Sequence, residues 1–155
     1  MEICAIDPGP ENSAFVRMLD SVLTFHTIKP NEEILTILLE NTSKADVLVI
    51  EMVASYGMPV GVSIFETVLW IGRFMQAAIG HVSTERVFRK DVKLHFCGSS
   101  RAKDSNIRQA ILDRYGSSRK VAIGTKKQKG PLYGVKKDEW SALAVALYYL
   151  DKLRI

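Results

Sequence analysis

The chain alternates between short apolar runs and segments whose apolar residues recur at helical spacing. Ile3-Cys4-Ala5-Ile6 has no polar alternation, which predicts a strand at 2–6 buried on both faces. SAFVRML at 13–19 and VLTFHTI at 22–28 predict two more strands, joined by Asp20-Ser21 as a hairpin turn. Asn31 is the expected N-cap of a helix running to about residue 41, with Glu32 and Glu33 in its first turn and Ile34, Ile37 and Leu38 on one face. DVLVIEM at 46–52 predicts a fourth strand, followed by a loop holding Gly57 and Pro59. The helix expected at 61–79 is apolar nearly all round, its polar residues being Ser63, Glu66, Thr67, Arg73 and Gln76. A surface helix buries one face only, so this one is either central to the fold or covered by a second subunit. A fifth strand is expected at 82–88, short helices at 91–96 and 105–115, and a last helix at 137–153.

Hairpin-linked strands pair antiparallel, whereas strands reached through helical crossovers pair in parallel. The order therefore predicts an α/β fold: a mixed five-stranded sheet with helices on both faces. The 155 residues fit one domain, 1–155, without internal repeats.

Composition changes this picture little. Hydrophobic content of 47% and charged content of 25% are those of a globular chain, which argues against extended disorder. The richest apolar stretch, 60–79, is interrupted by Glu66, Arg73 and Gln76, so no membrane span is expected. The N-terminus opens on strand sequence, so no signal peptide is expected. Cys4 and Cys97 match no zinc or redox spacing, and a reducing cytoplasm is the expected compartment. The net charge of +4 is mild, but its distribution is uneven. Between 116 and 137 lie Arg119, Lys120, Lys126, Lys127, Lys129, Lys136 and Lys137 without one acid, punctuated by Gly124, Gly130 and Gly134. This reads as a long basic loop. Such a cluster repels itself and gains most by meeting a polyanion, so nucleic acid is the expected partner.

Three acids occupy comparable positions. Asp7 ends the first strand, Glu51 ends the run Val47-Leu48-Val49-Ile50, and Asp138 opens the last helix. Each also has an ordinary reading: Asp-Pro-Gly is good turn chemistry, Glu51 can face solvent, and Asp138 suits a helix N-terminus. If the first and fourth strands are parallel neighbours, Asp7 and Glu51 emerge at one edge, and a helix starting there adds Asp138. Three such carboxylates raise one another's pKa, and a divalent cation relieves the repulsion. Hard oxygen ligands suit Mg²⁺ or Mn²⁺, and such a site suits phosphodiester hydrolysis, with Asp7 as the natural bridging ligand.

With these residues in place, IDPG at 6–9, VIEM at 49–52 and DEWSALAVAL at 138–147 resemble the RuvC-type Holliday junction resolvases, in length most like the phage-encoded RuvC-like endonucleases. The resemblance spans essentially the whole chain. It implies a ribonuclease H-like fold, a homodimer acting on four-way and other branched DNA, Mg²⁺ or Mn²⁺ as cofactor, and nicks leaving 5′-phosphates. A phage-encoded member would work in the host cytoplasm. Asp7, Glu51 and Asp138 match three of the family's acids; the fourth falls at Ser141, a neutral and weak ligand. Glu139 lies about 100° away around the helix and is a poor substitute. The resemblance sets Lys93 in the place of a catalytic lysine. A second such lysine falls near Asp104, with Lys103 one place away. The family's aromatic wedge falls at Ala54, with Tyr56 as a replacement two residues on. A weaker wedge and a missing acid imply looser selection, extending to forks and flaps and relaxing sequence preference. The helix at 61–79 matches the family's dimer helix.

The remaining candidates read as ordinary. His26, His81 and His95 have no spaced partner and are expected to be structural, Glu66 exposed, and the serines at 99, 100, 117 and 118 loop residues. The competing functions are another ribonuclease H-like nuclease and, given Ser141, a catalytically weak branched-DNA-binding subunit. An actin-like ATPase fragment fits poorly, because the chain is too short for two lobes and has no glycine-rich phosphate loop after its first strand.

Overall fold

A computed structural model describes residues Met1–Ile155. Five strands form one sheet: β1 (Glu2–Asp7), β2 (Asn12–Leu19), β3 (Val22–Pro30), β4 (Val47–Met52) and β5 (Ser83–Phe88), in the order β3-β2-β1-β4-β5. β2 and β3 join β1 antiparallel, while β4 and β5 extend the sheet in parallel, as the connections dictate. β2 and β3 meet through Asp20-Ser21, with Asp20 at φ 54°. The helices are α1 (Asn31–Thr42), α2 (Val62–Ala78), α3 (Arg89–Cys97), α4 (Asp104–Tyr115), α5 (Arg119–Ile123) and α6 (Glu139–Lys152). None is long and apolar enough to cross a membrane.

The sheet divides two cores. On β1, Ile3 and Ala5 face one, and Cys4 and Ile6 the other; on β4 the corresponding pairs are Val47 and Val49, and Leu48 and Ile50. This two-sided burial explains why both strands read as continuous apolar runs. α6 covers the first face across β1, β2 and β4, where Ala142, Ala144 and Ala146 allow a close approach. α1 and α2 cover the second face.

α2 is not central to the fold. It buries only Thr67, Ile71, Phe74 and Ala78, a single stripe at i, i+4, i+7 and i+11. Val62, Phe65, Val68 and Leu69 stay exposed, so its excess apolar surface is a face this chain leaves uncovered.

Two local expectations are corrected. Asn31 is not an N-cap: Pro30 takes that position, and Asn31 is buried as the first residue of α1. Its side-chain oxygen accepts from Ser13 Oγ at 2.6 Å, and its amide donates to the Gly9 carbonyl at 2.9 Å. Gly9 N–H in turn donates to Ser13 Oγ at 3.1 Å. The turn that follows Asp7 is thus locked to β2 and α1. A Cβ at Gly9 would lie 2.3 Å from the Asn12 carbonyl oxygen, so only glycine fits there. Secondly, 116–137 is more than a loop. It contains α5, a β-bridge between Gly124 and Lys129, and the buried anchors Ala122, Leu132 and Val135. The apolar anchors fold the segment onto the α6 core while its basic side chains remain outside.

Asn31→Ala removes one side chain and leaves the buried Ser13 hydroxyl and the half-buried Gly9 carbonyl without it. Urea unfolding should show a loss of about 1–3 kcal/mol; an unchanged midpoint would refute this account of the turn.

Candidate active site

Strand parity and register assemble the site. Asp7 follows Ile3 and Ala5 onto the α6 face of the sheet, and Glu51 follows Val47 and Val49 onto the same face. The last paired residues of the parallel β1–β4 ladder are Ile6 and Ile50, so the next residue on each strand, Asp7 and Glu51, lies abreast at the carboxyl edge. α6 begins beside them, with Asp138 as its exposed N-cap and Ser141 on its first turn.

The electrostatics follow from this placement. Asp7 is pushed up to about 8, first by burial and then by Glu51 and Asp138; Arg89 and hydrogen bonding from Ser141 act in the opposite direction. Glu51 is also raised, chiefly by burial, with Arg89 and Lys93 opposing the shift. Asp7 therefore sits in excess negative potential that the protein only partly cancels.

Arg89 is a residue of this edge that the sequence reading missed. It is the first residue of α3, directly after β5. Its Nη1 donates to Glu51 Oε2 at 3.4 Å, and its Nη2 to Asp104 Oδ1 at 2.5 Å. Burial works against its charge, but Glu51 and Asp104 outweigh that and hold its pKa up. The strand-edge argument applied to the acids would have found it, since β5 delivers its own last residues to the same edge. Asp104 was missed as an acid of the site in the same way.

The three predicted acids do not converge as a ready-made ligand set, and no group of three acidic, histidine or cysteine side chains does so elsewhere. Arg89 holds Glu51 in the conformation described, and Asp138 remains at the open rim.

The other predicted residues fall around this edge. Lys93, one turn along α3, lies near enough to lower the Glu51 pKa. It lines a groove of about 310 Å³ with Tyr56, Arg89, Lys90 and Ser100. Tyr56 is 64% exposed with φ 49°, a strained setting for a non-glycine residue that displays its ring to solvent. Ala54 lines the adjoining groove. Lys103 is the exposed N-cap residue of α4. Lys137, also left-handed at φ 48°, lines a cavity of about 370 Å³ with Arg89, Asp104, Arg108, Asp138 and Trp140 among its walls. Lys136 is exposed just before it. Lys120 and Lys129 line a second cavity of about 340 Å³ that includes Gly124 and Gly130; Arg119 opens α5, and Lys126 and Lys127 tip the 125–128 turn. The basic residues therefore form two groups, one at the acids and one around α5.

Glu139 is no ligand. It is 2% exposed, accepts from Lys136 N–H at 2.8 Å and pairs with His26 Nδ1 at 2.9 Å, fixing the start of α6 against β3. The expectation that the histidines lack partners is corrected here. His26 has Glu139, and His95 Nε2 meets Asp151 at 2.8 Å beside Arg114. These partners lie 113 and 56 positions away, beyond any local spacing. Glu66 is exposed as expected.

No family model matches the chain, and no curated protein matches it. Among solved structures, it is similar to RuvC from Thermus thermophilus, with a TM-score of 0.73 at 16% identity, over 99% of this chain and 96% of that one. It is similar also to T. thermophilus RuvC in complex with a Holliday junction substrate, with a TM-score of 0.68 at 14% identity, over 99% and 95%. The chain shares the ribonuclease H-like fold of these proteins along nearly its whole length.

Proposed function

We propose that residues 1–155 form a divalent-metal-dependent endonuclease that cleaves branched DNA, four-way junctions together with forks and flaps, by phosphodiester hydrolysis with relaxed sequence preference. The observation that carries this reading is Asp7: a carboxyl raised to about 8 by burial and two neighbouring carboxylates at a sheet edge beside exposed cations. Buried acids set together in this way call for a cation. The substrate class comes from the structural neighbour bound to a Holliday junction.

The donor set fits Mg²⁺ or Mn²⁺, being hard oxygens with excess negative charge, provided Arg89 releases Glu51. Asp7, Glu51 and Asp138 would hold the ion, with Ser141 as a neutral fourth group. The metal would supply a nucleophilic hydroxide and charge neutralisation at the phosphate. The chain's own residues do the rest. Asp7 sets the position of the reacting edge, and Lys93 places a cation beside Glu51. Lys136 and Lys137 meet the strand at the acids, while Arg119, Lys120, Lys126, Lys127, Lys129 and Lys103 steer the flanking backbone. Tyr56 offers an exposed ring for a base to stack on.

We assign the uncovered α2 face, Val62, Phe65, Val68 and Leu69, to a two-fold homodimer that sets two sites against two strands. A second reading, a branched-DNA-binding subunit with weak catalysis, is favoured by one feature: Arg89 engages Glu51 where a metal ligand should be free.

On a synthetic four-way junction with Mg²⁺ or Mn²⁺, wild type should nick, and Asp7→Asn should fall to about one hundredth of that rate or less while still binding. Binding without nicking in the wild type selects the second reading. Forks and flaps should be nicked in the same assay, and their strict refusal would refute the relaxed selectivity. In chelator the native state keeps a proton on Asp7 that the unfolded chain, titrating near about 3.9, has lost. Stability should therefore fall as pH rises from about 4 through 8. Thermal melts between pH 5 and 8.5 should show that slope in wild type and a flatter one in Asp7→Asn; equal slopes would rule the assignment out. In sedimentation, wild type should run as a dimer and Leu69→Asp as a folded monomer, since Leu69 is 59% exposed.

A further inference from the structure

Arg89 belongs to two places at once. Its guanidinium bonds Glu51, and its side chain lines the 370 Å³ cavity bounded by α4 and α6. The two anchors are unequal: Asp104 is held at 2.5 Å and Glu51 at 3.4 Å, so the Glu51 contact is the one that yields. The cavity offers two further cations, Arg108 and Lys137. Trp140 forms part of its wall, with the Arg108 guanidinium 4.6 Å from the ring centroid. The indole Nε1 of Trp140 is the one buried side-chain polar atom in the protein without a hydrogen-bond partner. That nitrogen has almost no accessible surface, so the ring supplies wall and a face for Arg108 but no donor to the cavity. Of the two acids in the walls, Asp104 is neutralised by Arg89, and Asp138 stands at the metal side as the exposed cap of α6. What remains is Arg108 and Lys137, two cations without a carboxylate partner, the complement of a phosphate group.

We propose that Arg89 is an exchangeable counter-cation: it holds Glu51 while the carboxylates carry no metal, and it turns to a DNA phosphodiester in the α4–α6 cavity when a divalent cation takes over Glu51. This rests on the metal-dependent nuclease reading. Arg108 and Lys137 are the other donors of that phosphate subsite. The exchange never leaves Glu51 without a positive neighbour: the guanidinium that leaves carries one charge and the cation that arrives carries two. It also couples the two ligands. Metal frees the arginine that the strand needs, and the strand holds the arginine away from the carboxylate that the metal needs.

The test uses Mn²⁺ alone, then pentathymidylate, a strand too short to form a branch. Calorimetric titration of Mn²⁺ should give Arg89→Gln an affinity about tenfold higher than wild type, the fold-change for removing one charge-assisted contact and a like charge. Asp104→Asn is the second variant. It removes the tighter anchor and one negative charge without touching the three carboxylates, so Arg89 is left to Glu51 and Mn²⁺ affinity should fall below that of wild type. Anisotropy with Mn²⁺ present should show pentathymidylate binding weakened about tenfold in both Arg89→Gln and Arg108→Gln. Arg108→Gln should leave Mn²⁺ affinity unchanged. In chelator, wild type should bind the strand as weakly as Arg89→Gln. Mn²⁺ binding by wild type that Arg89→Gln does not tighten, or that Asp104→Asn tightens, overturns the exchange alone. No Mn²⁺ binding by any of the proteins overturns the nuclease reading and the exchange with it. Inorganic phosphate binding wild type as tightly as the strand does overturns the assignment to a strand phosphodiester.

Discussion

The site depends on negative charge held at the carboxyl end of a buried parallel strand pair. β1 and β4 are apolar on both faces up to Ile6 and Ile50, and the next residue on each is an acid on the same face. Burial removes most of the water that would screen them, so each carboxylate raises the cost of ionising the other. The surrounding structure answers that cost with a guanidinium from the end of β5, a hydroxyl from the first turn of α6, and a proton on Asp7 near neutrality.

Charge alone would not hold the acids in register; paired polar groups do that. Ser13, Asn31 and Gly9 close the turn after Asp7 with three hydrogen bonds, all among side chains or backbone with a partner at each end. Glu139 does the same for α6, taking the Lys136 amide and His26 while its neighbour Asp138 stays at the rim. Lys137, forced into the left-handed region between them, gives the sharp entry that sets Asp138 beside the strand ends. Near the acids, Ser13, Asn31 and Glu139 fix geometry and are buried and paired, whereas Lys136, Lys137 and Asp138 at the rim are exposed.

Sequence pattern revealed a mixed sheet because β1 and β4 lack polar alternation and because hairpins and helical crossovers set which strands run antiparallel and which parallel; the order β3-β2-β1-β4-β5 came from the structure. The edge positions of Asp7 and Glu51 were legible because each interrupts an apolar run at its end, and that of Asp138 because it opens the last helix. Arg89 was not, because an arginine after a strand looks like any surface cation until Glu51 and Asp104 are placed around it. The histidine partners were hidden by sequence distance. The anchoring of 116–137 was hidden by composition: seven basic residues drew attention from Ala122, Leu132 and Val135, whose burial decides that the segment folds. Local capping rules failed at Asn31 because a buried tertiary network competed for its side chain and won.

Ser141 and Arg89 are best understood together. A fourth carboxylate at position 141 would add a full charge against Asp7, whose ionisation burial already opposes. Serine instead contributes hydrogen bonding that favours the Asp7 carboxylate, and Arg89 contributes a positive charge that favours it further. Both changes lower the negative potential at the edge in the absence of metal. Serine and arginine together thus let two buried strand-end acids share one folded edge with their charge partly balanced by the chain itself.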